Sequence, residues 1–200
     1  MAIISRGFTG RRADVDPKRL PPGQYVTSDF PVLSAGPTPR IDLDQWTFEI
    51  TGVLDQPRSW SWEELNSLPL ETVTQDIHCV TKWSKLGTTW TGVSLDVLLD
   101  GIESPATHVM AHSYGGYTTN LPLADISDGK AWVAIGYDNQ PLAPEHGGPA
   151  RLLVPHLYFW KSAKWVNGIE LMVGDRRGFW ERNGYHDYGD PWREQRYWGD

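Results

Sequence analysis

Proline and glycine interrupt this sequence so often that it cannot build long helices. The chain of 200 residues contains 15 Pro and 20 Gly. Because proline lacks a backbone donor and both residues favour turns, a helix between them has room for only one or two turns. This spacing excludes a helical bundle. We predict an α+β fold of mixed β-sheets with short helices.

The pattern of apolar residues locates the strands and helices. In the stretch WTFEI, apolar and polar residues alternate from Trp46 to Ile50, which is typical of a half-buried strand. The stretch SWEELNSLP predicts a short helix with a capping box between Ser61 and Glu64. Ser94 caps a second short helix in GVSLDVLLDG. Further strands are predicted at residues 71–77 and in THVMAHS, GYTTNLP, AWVAIGY, EHGGPARLLVP and KWVNGIELMV.

Length and composition fit one domain. With 40% hydrophobic residues, a chain of 200 residues can bury a core without disulfides or metals. We predict a single domain over residues 1–200, with an N-terminal arm at 1–28 and an aromatic-rich C-terminal segment at 175–200. The net charge of -7 argues against a nucleic-acid partner. Neither the apolar run of a signal peptide nor that of a membrane-spanning helix is present, so we predict a cytoplasmic protein.

A single cysteine, Cys79, stands where a predicted strand enters a loop. It cannot form an internal disulfide, which indicates a reducing compartment. His78 is poorly placed to activate it as a nucleophile, because adjacent strand residues point to opposite faces. One cysteine and 6 scattered histidines provide no closely spaced ligand pair for structural zinc. The ordinary role of a free cysteine, a small buried apolar side chain, stays open at this point.

Residues 145–165 contain a second candidate site. The turn at residues 147–149 carries N–H groups that can approach an anion, Arg151 follows at a strand entrance, and Lys161 and Lys164 come later. Two loops that flank one strand could thus hold a phosphate. The stretch lacks the spacing of a P-loop or of a dinucleotide site. A plain Gly-Pro turn with solvated surface cations is the alternative.

The C-terminal segment interleaves aromatic rings with arginines in GFWERNGYHDYGDPWREQRYWGD. Such rings either wall a substrate pocket or pack the segment against the domain. Single-stranded nucleic acid is recognised by a similar mixture. The acidic residues within the segment and the net charge of the chain argue against that function.

Three motifs connect these candidates. They are HCVTKWS, which contains Cys79, then WTGVSLDVLL, and then GGPARLLVP followed by KSAK. In their order and separation they resemble the molybdopterin-binding domain of the sulfite oxidase family, in particular its small bacterial single-domain members. The resemblance runs from about residue 30 to residue 173. It implies a sulfite-oxidase-type fold with molybdopterin and molybdenum as cofactors.

The resemblance also implies site residues and an activity. In the family one cysteine thiolate ligates molybdenum, whose other sulfurs come from the pterin, so Cys79 is the implied metal ligand and catalytic residue. The implied activity is two-electron oxygen-atom transfer to or from a small-molecule substrate, with a separate electron-transfer partner. The implied pterin and phosphate contacts are Asp29, Val32, Leu33, Ser113, His146, Arg151, Ser162, Ala163 and Lys164.

The residues after Cys79 depart from two branches of the family. Sulfite oxidases proper place arginines there to receive an anionic substrate, and methionine-sulfoxide reductases place an acidic residue two positions after the cysteine. Here residues 80–82 are Val, Thr and Lys. Unless Lys82, Arg177 or Arg182 points inward, a neutral S-oxide or N-oxide is expected to be a better substrate than sulfite. A non-catalytic molybdopterin-binding or carrier protein is the alternative.

Overall fold

A computed structural model describes residues 16–200. Its α-helices are α1 (Trp62–Ser67), α2 (Leu95–Leu99) and α3 (Phe179–Arg182). No helix within these residues is long and apolar enough to cross a membrane. The strands are β1 (Tyr25–Val26), β2 (Thr47–Gly52), β3 (Arg58–Ser61), β4 (Leu70–His78), β5 (Trp83–Ser94), β6 (His108–Ser113), β7 (Thr118–Pro122), β8 (Trp132–Tyr137), β9 (Gln140–Pro141), β10 (Arg151–Leu153) and β11 (Val166–Met172).

Two mixed sheets form the fold. In the first sheet, β5 pairs with β4 and β8 in antiparallel fashion and with β1 in parallel, while β9 and β10 pair with β8. The second sheet has the order β3-β2-β11-β6-β7, and its β2 and β11 are parallel. The predicted α+β class, with mixed sheets and short helices, is confirmed.

One hydrophobic core joins the two sheets. Phe48 of β2 and Ile169 of β11 come from one sheet, whereas Val93 of β5 and Leu152 of β10 come from the other, and each is at most 1% exposed. Burial of such a side chain contributes roughly 1.5–3 kcal/mol relative to leaving it in water. The loops at the strand ends are therefore held on a common frame.

Both predicted helix starts are confirmed. Ser61 Oγ accepts a hydrogen bond from the Glu64 N–H at 3.2 Å, and the Glu64 carboxylate accepts one from the Ser61 N–H at 2.8 Å. At the start of α2, Ser94 Oγ accepts from the N–H of Asp96. These side chains satisfy backbone donors that have no partner inside the helix.

The longest strand, β5, and the N-terminal arm differ from the sequence-based prediction. Neighbours cover both edges of β5, and Gly92 packs so tightly on β8 that an added Cβ would lie 2.4 Å from Val133 O. Consecutive residues are buried at both ends of β5, at 83–84 and 92–94, so both faces of the strand are covered there and polar and apolar residues do not alternate. The alternation pattern therefore misses this strand. Within the arm, β1 pairs with β5 and belongs to the sheet. Residues 1–15 of the predicted arm lie outside the described residues.

Candidate functional site

A cavity of about 490 Å³ is lined by segments that are far apart in the sequence. Cys79, His146, Arg151 and Lys164 all line it. The cysteine and the basic residues of the second candidate site therefore belong to one site. The other contributing segments lie within residues 30–39, 80–83, 114–117, 159–165 and 179–185.

Cys79 lies in a tight turn between β4 and β5. The Cys79 N–H donates to Trp83 O at 2.8 Å, and the Lys82 N–H donates to Cys79 O at 3.0 Å. The N-terminal segment holds this turn from behind, because the Tyr25 N–H donates to Lys82 O at 2.9 Å. The side-chain amide of Gln24 donates to Cys79 O at 3.1 Å. The backbone that presents the thiol is thus fixed at both ends.

The Cys79 thiol is buried in the cavity wall, at 7% exposed. Burial raises the pKa of the thiol, and hydrogen bonds from the Thr81 hydroxyl and from the main chain at Thr81 and Val80 oppose this shift. Thr81 Oγ1 lies 3.2 Å from Cys79 Sγ. An anionic acceptor forms stronger hydrogen bonds than a neutral one. The turn therefore suits a sulfur that carries negative charge.

His78 faces the other side of β4, as strand alternation predicts. Its Nδ1 lies 2.8 Å from Ser84 Oγ, and burial lowers its pKa to about 4. Together with Asp76 and His156 it lines a separate, polar cavity. An imidazole on the opposite face cannot take a proton from Cys79, which excludes His78 as the base of a Cys-His nucleophile.

Arg151 is only 1% exposed, and no carboxylate pairs with it within residues 16–200. Its guanidinium donates to His146 O at 2.7 Å and to Ser162 O at 2.6 Å. It also lies 3.9 Å from the centre of the Phe159 ring. Burial lowers the pKa of Arg151 to about 9. Arg151 thus joins the two loops that flank β10 and places a buried positive charge at the cavity wall.

Two further basic side chains face the cavity. Burial and the nearby Arg151 lower the pKa of Lys164 to about 8, and its Nζ donates to Glu145 O at 2.6 Å. Burial, Lys164 and Arg151 lower the pKa of His146. No Asp or Glu of the described residues lines the cavity. Basic groups gathered without a carboxylate are expected where an anion binds.

The Gly147-Gly148 turn does not offer the free donors that we predicted. The Gly147 N–H donates to Pro144 O, and the Gly148 N–H donates to Ala143 O. The glycines serve close packing instead. Gly147 has a φ of +110°, and an added Cβ there would lie 3.1 Å from Lys164 Cα. The turn brings Lys164 to the cavity without itself contributing amides to an anion.

Lys161, the other lysine predicted to hold a phosphate, does not line the cavity. It is fully buried, and its Nζ lies 2.7 Å from Glu181 Oε1 in α3. The same ammonium donates to Asn120 O at 2.8 Å and to Asp187 O at 2.7 Å. Glu181 also accepts from Trp160 Nε1 at 2.9 Å. This pair anchors the C-terminal segment and orients the Trp160 ring in the cavity wall.

Of the other predicted contacts, some line the cavity and some do not. Asp29 and Val32 are exposed and lie outside it. Ser113 is buried one residue before the lining residue Tyr114, and its hydroxyl has no partner among the described residues. The predicted contacts that do line the cavity, besides the basic ones, are Leu33, Ser162 and Ala163.

Aromatic residues of the C-terminal segment both pack and wall the pocket. Tyr185 stacks on Trp180 with ring centres 4.8 Å apart and meets Trp160 edge-on at 5.0 Å. All three line the cavity. Burial, Tyr197 and Cys79 raise the pKa of Tyr185.

Several wall residues were not predicted from the sequence. Phe30 stacks on His146 with ring centres 3.9 Å apart. Trp83 belongs to the motif that contains Cys79, and Phe159 and Trp160 lie within residues 145–165 of the second candidate site, so these three carried a usable signal. The others lie in loops whose meeting depends on the tertiary fold. The wall residues missed are Phe30, Trp83, Tyr114, Tyr117, Phe159 and Trp160.

No cluster of arginines surrounds Cys79 in the part of the chain that the structure describes. Lys82 is exposed and does not line the cavity. Arg177 is bound to Asp187 at 2.7 Å, and Arg182 is exposed on α3. The side chains next to the thiol are therefore apolar, aromatic or hydroxyl-bearing.

The donors in this cavity fit a molybdenum–pterin cofactor that carries a phosphate. Thiolates suit soft metals, and Arg151 and Lys164 complement a phosphate. Buried polar atoms are seldom left unpaired, yet His146 Nδ1 and Trp83 Nε1 have no partner within residues 16–200. Nowhere in that range do three His, Cys, Asp or Glu side chains form a metal site. A metal held at Cys79 would therefore have to bring its other ligands with it.

Comparison with known proteins supports this reading. A family model described as oxidoreductase molybdopterin binding domain matches residues 35–180. The chain is 44% identical over 182 residues to the uncharacterized oxidoreductase YuiH of Bacillus subtilis, covering 90% of this chain and 92% of that protein. It is 26% identical to the protein-methionine-sulfoxide reductase catalytic subunit MsrP of Campylobacter jejuni, over 75% of this chain and 57% of that protein. The sulfane dehydrogenase SoxCD from Paracoccus pantotrophus has a similar fold, with a TM-score of 0.63 and 20% identity over 74% of this chain and 42% of that chain.

Proposed function

Because the chain belongs to the oxidoreductase molybdopterin binding domain family, we propose that this cavity holds the molybdenum–pterin cofactor with the Cys79 thiolate on the metal. The chain is an oxidoreductase of the sulfite-oxidase-type fold, and the cofactor of its family is molybdopterin with molybdenum. One observation carries the proposal for the site: Cys79, His146, Arg151 and Lys164 meet in one cavity.

We assign the holding of the cofactor to residues on two sides of the cavity. Arg151 and Lys164 would pair with the phosphate, and Ser162 and Ala163 lie beside them. His146 and Ser113 have unpartnered polar atoms for the pterin, and Leu33 supplies apolar contact. Asp29 and Val32 are left out of the set, because both are exposed away from the cavity.

When bound, the molybdenum centre supplies two-electron redox chemistry coupled to the transfer of an oxygen atom. Cys79 would provide one negatively charged ligand, which metal binding would keep deprotonated. Trp160, Trp180 and Tyr185 line the cavity with Cys79 and would limit the access of water to a bound substrate. The hydroxyl of Tyr185, which lines the same cavity as Cys79, could donate a hydrogen bond to a substrate oxygen.

We propose a neutral S-oxide or N-oxide as the preferred substrate. Reduction of an S-oxide consumes two electrons and two protons and yields a thioether and water. A sulfite anion would have to leave water without a free cation near Cys79, because Arg151 and Lys164 are assigned to the phosphate of the cofactor and Lys82 is exposed outside the cavity. With suitable electron donors and acceptors, kcat/KM for the neutral oxides should exceed that for sulfite. A clear preference for sulfite would contradict this substrate class.

Metal analysis and one substitution test the site. We expect about one molybdenum per chain, because one free thiolate is available. The Cys79→Ser variant should lose turnover while its urea unfolding midpoint stays close to that of the parent protein. Near-native turnover in this variant would refute the ligand assignment. Molybdenum without turnover of any S-oxide, N-oxide or sulfite would favour the carrier protein instead.

We also propose a separate electron-transfer partner, a cytoplasmic location and a single domain. Each reduction of a substrate removes two electrons from the site, so a separate reductant must return them. The lone cysteine supports a reducing compartment, the cytoplasm, which cell fractionation tests. A core shared by both sheets supports a single domain.

A further inference from the structure

We propose that the Thr81 hydroxyl acts as a positioning group that raises the reduction potential of the bound metal by donating a hydrogen bond to the Cys79 sulfur. The inference rests on the proposed function. Thr81 Oγ1 lies 3.2 Å from Cys79 Sγ, and this is the only hydrogen bond of the hydroxyl within the described residues. Thr81 also lines the cavity beside the thiol.

The position of Thr81 is fixed by its neighbours in the chain. Two backbone hydrogen bonds span Thr81. The Cys79 N–H donates to Trp83 O, and the Lys82 N–H donates to Cys79 O. Gln24 and Tyr25 hold the carbonyls of Cys79 and Lys82 from behind. With this backbone set, only the rotamer of Thr81 has to be ordered for its hydroxyl to reach the sulfur.

The hydrogen bond has a defined electronic effect. A thiolate ligand shares its charge with the metal, and a donor directed at the sulfur withdraws part of that charge. Reduction of the metal leaves more negative charge on the sulfur, so the hydrogen bond strengthens and stabilises the reduced form more than the oxidised form. Hydrogen bonding around a ligating cysteine tunes metal potentials in this way at other sites.

The Thr81 hydroxyl can be removed without changing the shape of the side chain. Thr81→Val replaces the hydroxyl by a methyl group, whereas Thr81→Ser keeps the donor. Main-chain hydrogen bonds at Val80 and Thr81 also reach the sulfur, and these remain in both variants. The pair of variants therefore isolates one donor. Thr89→Val, on β5 and outside the cavity, is the matched control.

The test uses the molybdenum-loaded protein and two measurements other than activity. EPR-monitored redox titration gives the midpoint potential of the Mo(VI)/Mo(V) couple, and absorption spectra give the energy of the thiolate-to-metal charge-transfer band. Thr81→Val should lower the potential and move the band to longer wavelength, because the sulfur becomes more electron-rich. Thr81→Ser and Thr89→Val should keep the parent values.

The outcomes separate this inference from the proposed function. If Thr81→Val is fully loaded with unchanged potential and band, the inference is overturned while the proposed function stands. If the parent protein binds no molybdenum, both fall. Loss of molybdenum from Thr81→Val but not from Thr81→Ser supports the role of the donor. Equal loss from both variants overturns it, since the hydroxyl would then not be the cause.

Discussion

Two lysines three positions apart in one loop have opposite surroundings. Lys161 is fully buried and lies 2.7 Å from Glu181, with backbone carbonyls as further acceptors. Lys164 faces the cavity beside Arg151, and within residues 16–200 it has a carbonyl acceptor on Glu145 but no carboxylate partner. The Lys161 ammonium is neutralised by a carboxylate of the protein, whereas the Lys164 ammonium remains available to an anion that binds in the cavity.

The difference teaches how to separate structural cations from binding cations. Desolvation of a charge is costly unless an opposite charge compensates for it. At Lys161 the protein supplies that charge itself. At Lys164 it supplies a second cation, Arg151, which lowers the pKa of the lysine further. Such an arrangement becomes favourable when an anion binds.

The largest expected effect is on folding stability at Lys161. Lys161→Met should lower the free energy of unfolding by about 3–5 kcal/mol, because it leaves the Glu181 carboxylate buried without its cation. Urea denaturation measures this loss. The double variant Lys161→Met/Glu181→Leu should recover much of it, since neither charge is then buried alone. Lys164→Met is the matched control and should change the free energy of unfolding little. Equal losses of stability in Lys161→Met and Lys164→Met would contradict the distinction between the two lysines.

The next effect concerns the cofactor and is expected at Lys164. A charge-assisted contact to phosphate contributes roughly 1.5–3 kcal/mol, so Lys164→Met should weaken cofactor binding about tenfold or more. Molybdenum and pterin content after loading at limiting cofactor measures it. Thr89→Val, which changes a residue of β5 outside the cavity, should load fully. Arg151→Ala should also load poorly, but it exposes unpaired carbonyls and will lose stability too. Full loading of Lys164→Met would show that the phosphate lies elsewhere.

The pH dependence should follow the charge of Lys164. Its pKa of about 8 means that the ammonium is charged below pH 8 and neutral above it, so cofactor affinity of the cofactor-free protein should decline above pH 8. Deprotonation of Lys164 cannot weaken cofactor binding more than Lys164→Met does. In that variant the cofactor affinity should not decline above pH 8. The free energy of unfolding of the cofactor-free protein should change with pH in the opposite direction. Between about 8 and 10.5 the unfolded chain binds more protons at this lysine, so the free energy of unfolding rises with pH. Parallel changes in both quantities would contradict the assignment.

The smallest effect should come from His146. His146→Phe keeps a ring to stack on Phe30 and keeps the carbonyl that Arg151 binds, but removes the unpartnered Nδ1. One neutral hydrogen bond contributes about 0.5–1.5 kcal/mol, so the loading assay should show a loss of only a few-fold. A loss as large as that of Lys164→Met would mean that the imidazole, rather than the ammonium, holds the charged part of the cofactor.

Local patterns were sufficient to predict much of the fold. The capping box at Ser61 and the cap at Ser94 depend on residues close in sequence, and both helices begin there. The alternation of apolar and polar residues correctly predicted β2. The alternation of side chains along a strand correctly predicted that His78 and Cys79 face opposite sides. The motifs that resemble the sulfite oxidase family identified the basic residues that meet in the cavity.

The remaining features depend on neighbours that are distant in the sequence. No local sequence pattern around Lys161 predicts that Glu181 is its partner. The amides of Gly147 and Gly148 looked free because their acceptors are set by how the turn folds back. Phe30 reaches the cavity through the pairing of β1 with β5. Each of these errors concerns a tertiary contact that local propensity does not encode.

The parallel pairing of β2 with β11 also constrains how the protein is made. Glu49 lies opposite Gly168, so the second sheet cannot close until the ribosome has synthesised most of the chain. Contacts between such distant segments slow folding. Until β11 arrives, the edges of β2 and β6 stay unpaired and prone to aggregation, which is a stage at which a chaperone would be useful. The pocket needs residues as late as Tyr185, so a cofactor held there can be enclosed only after that residue has been synthesised and has folded into place.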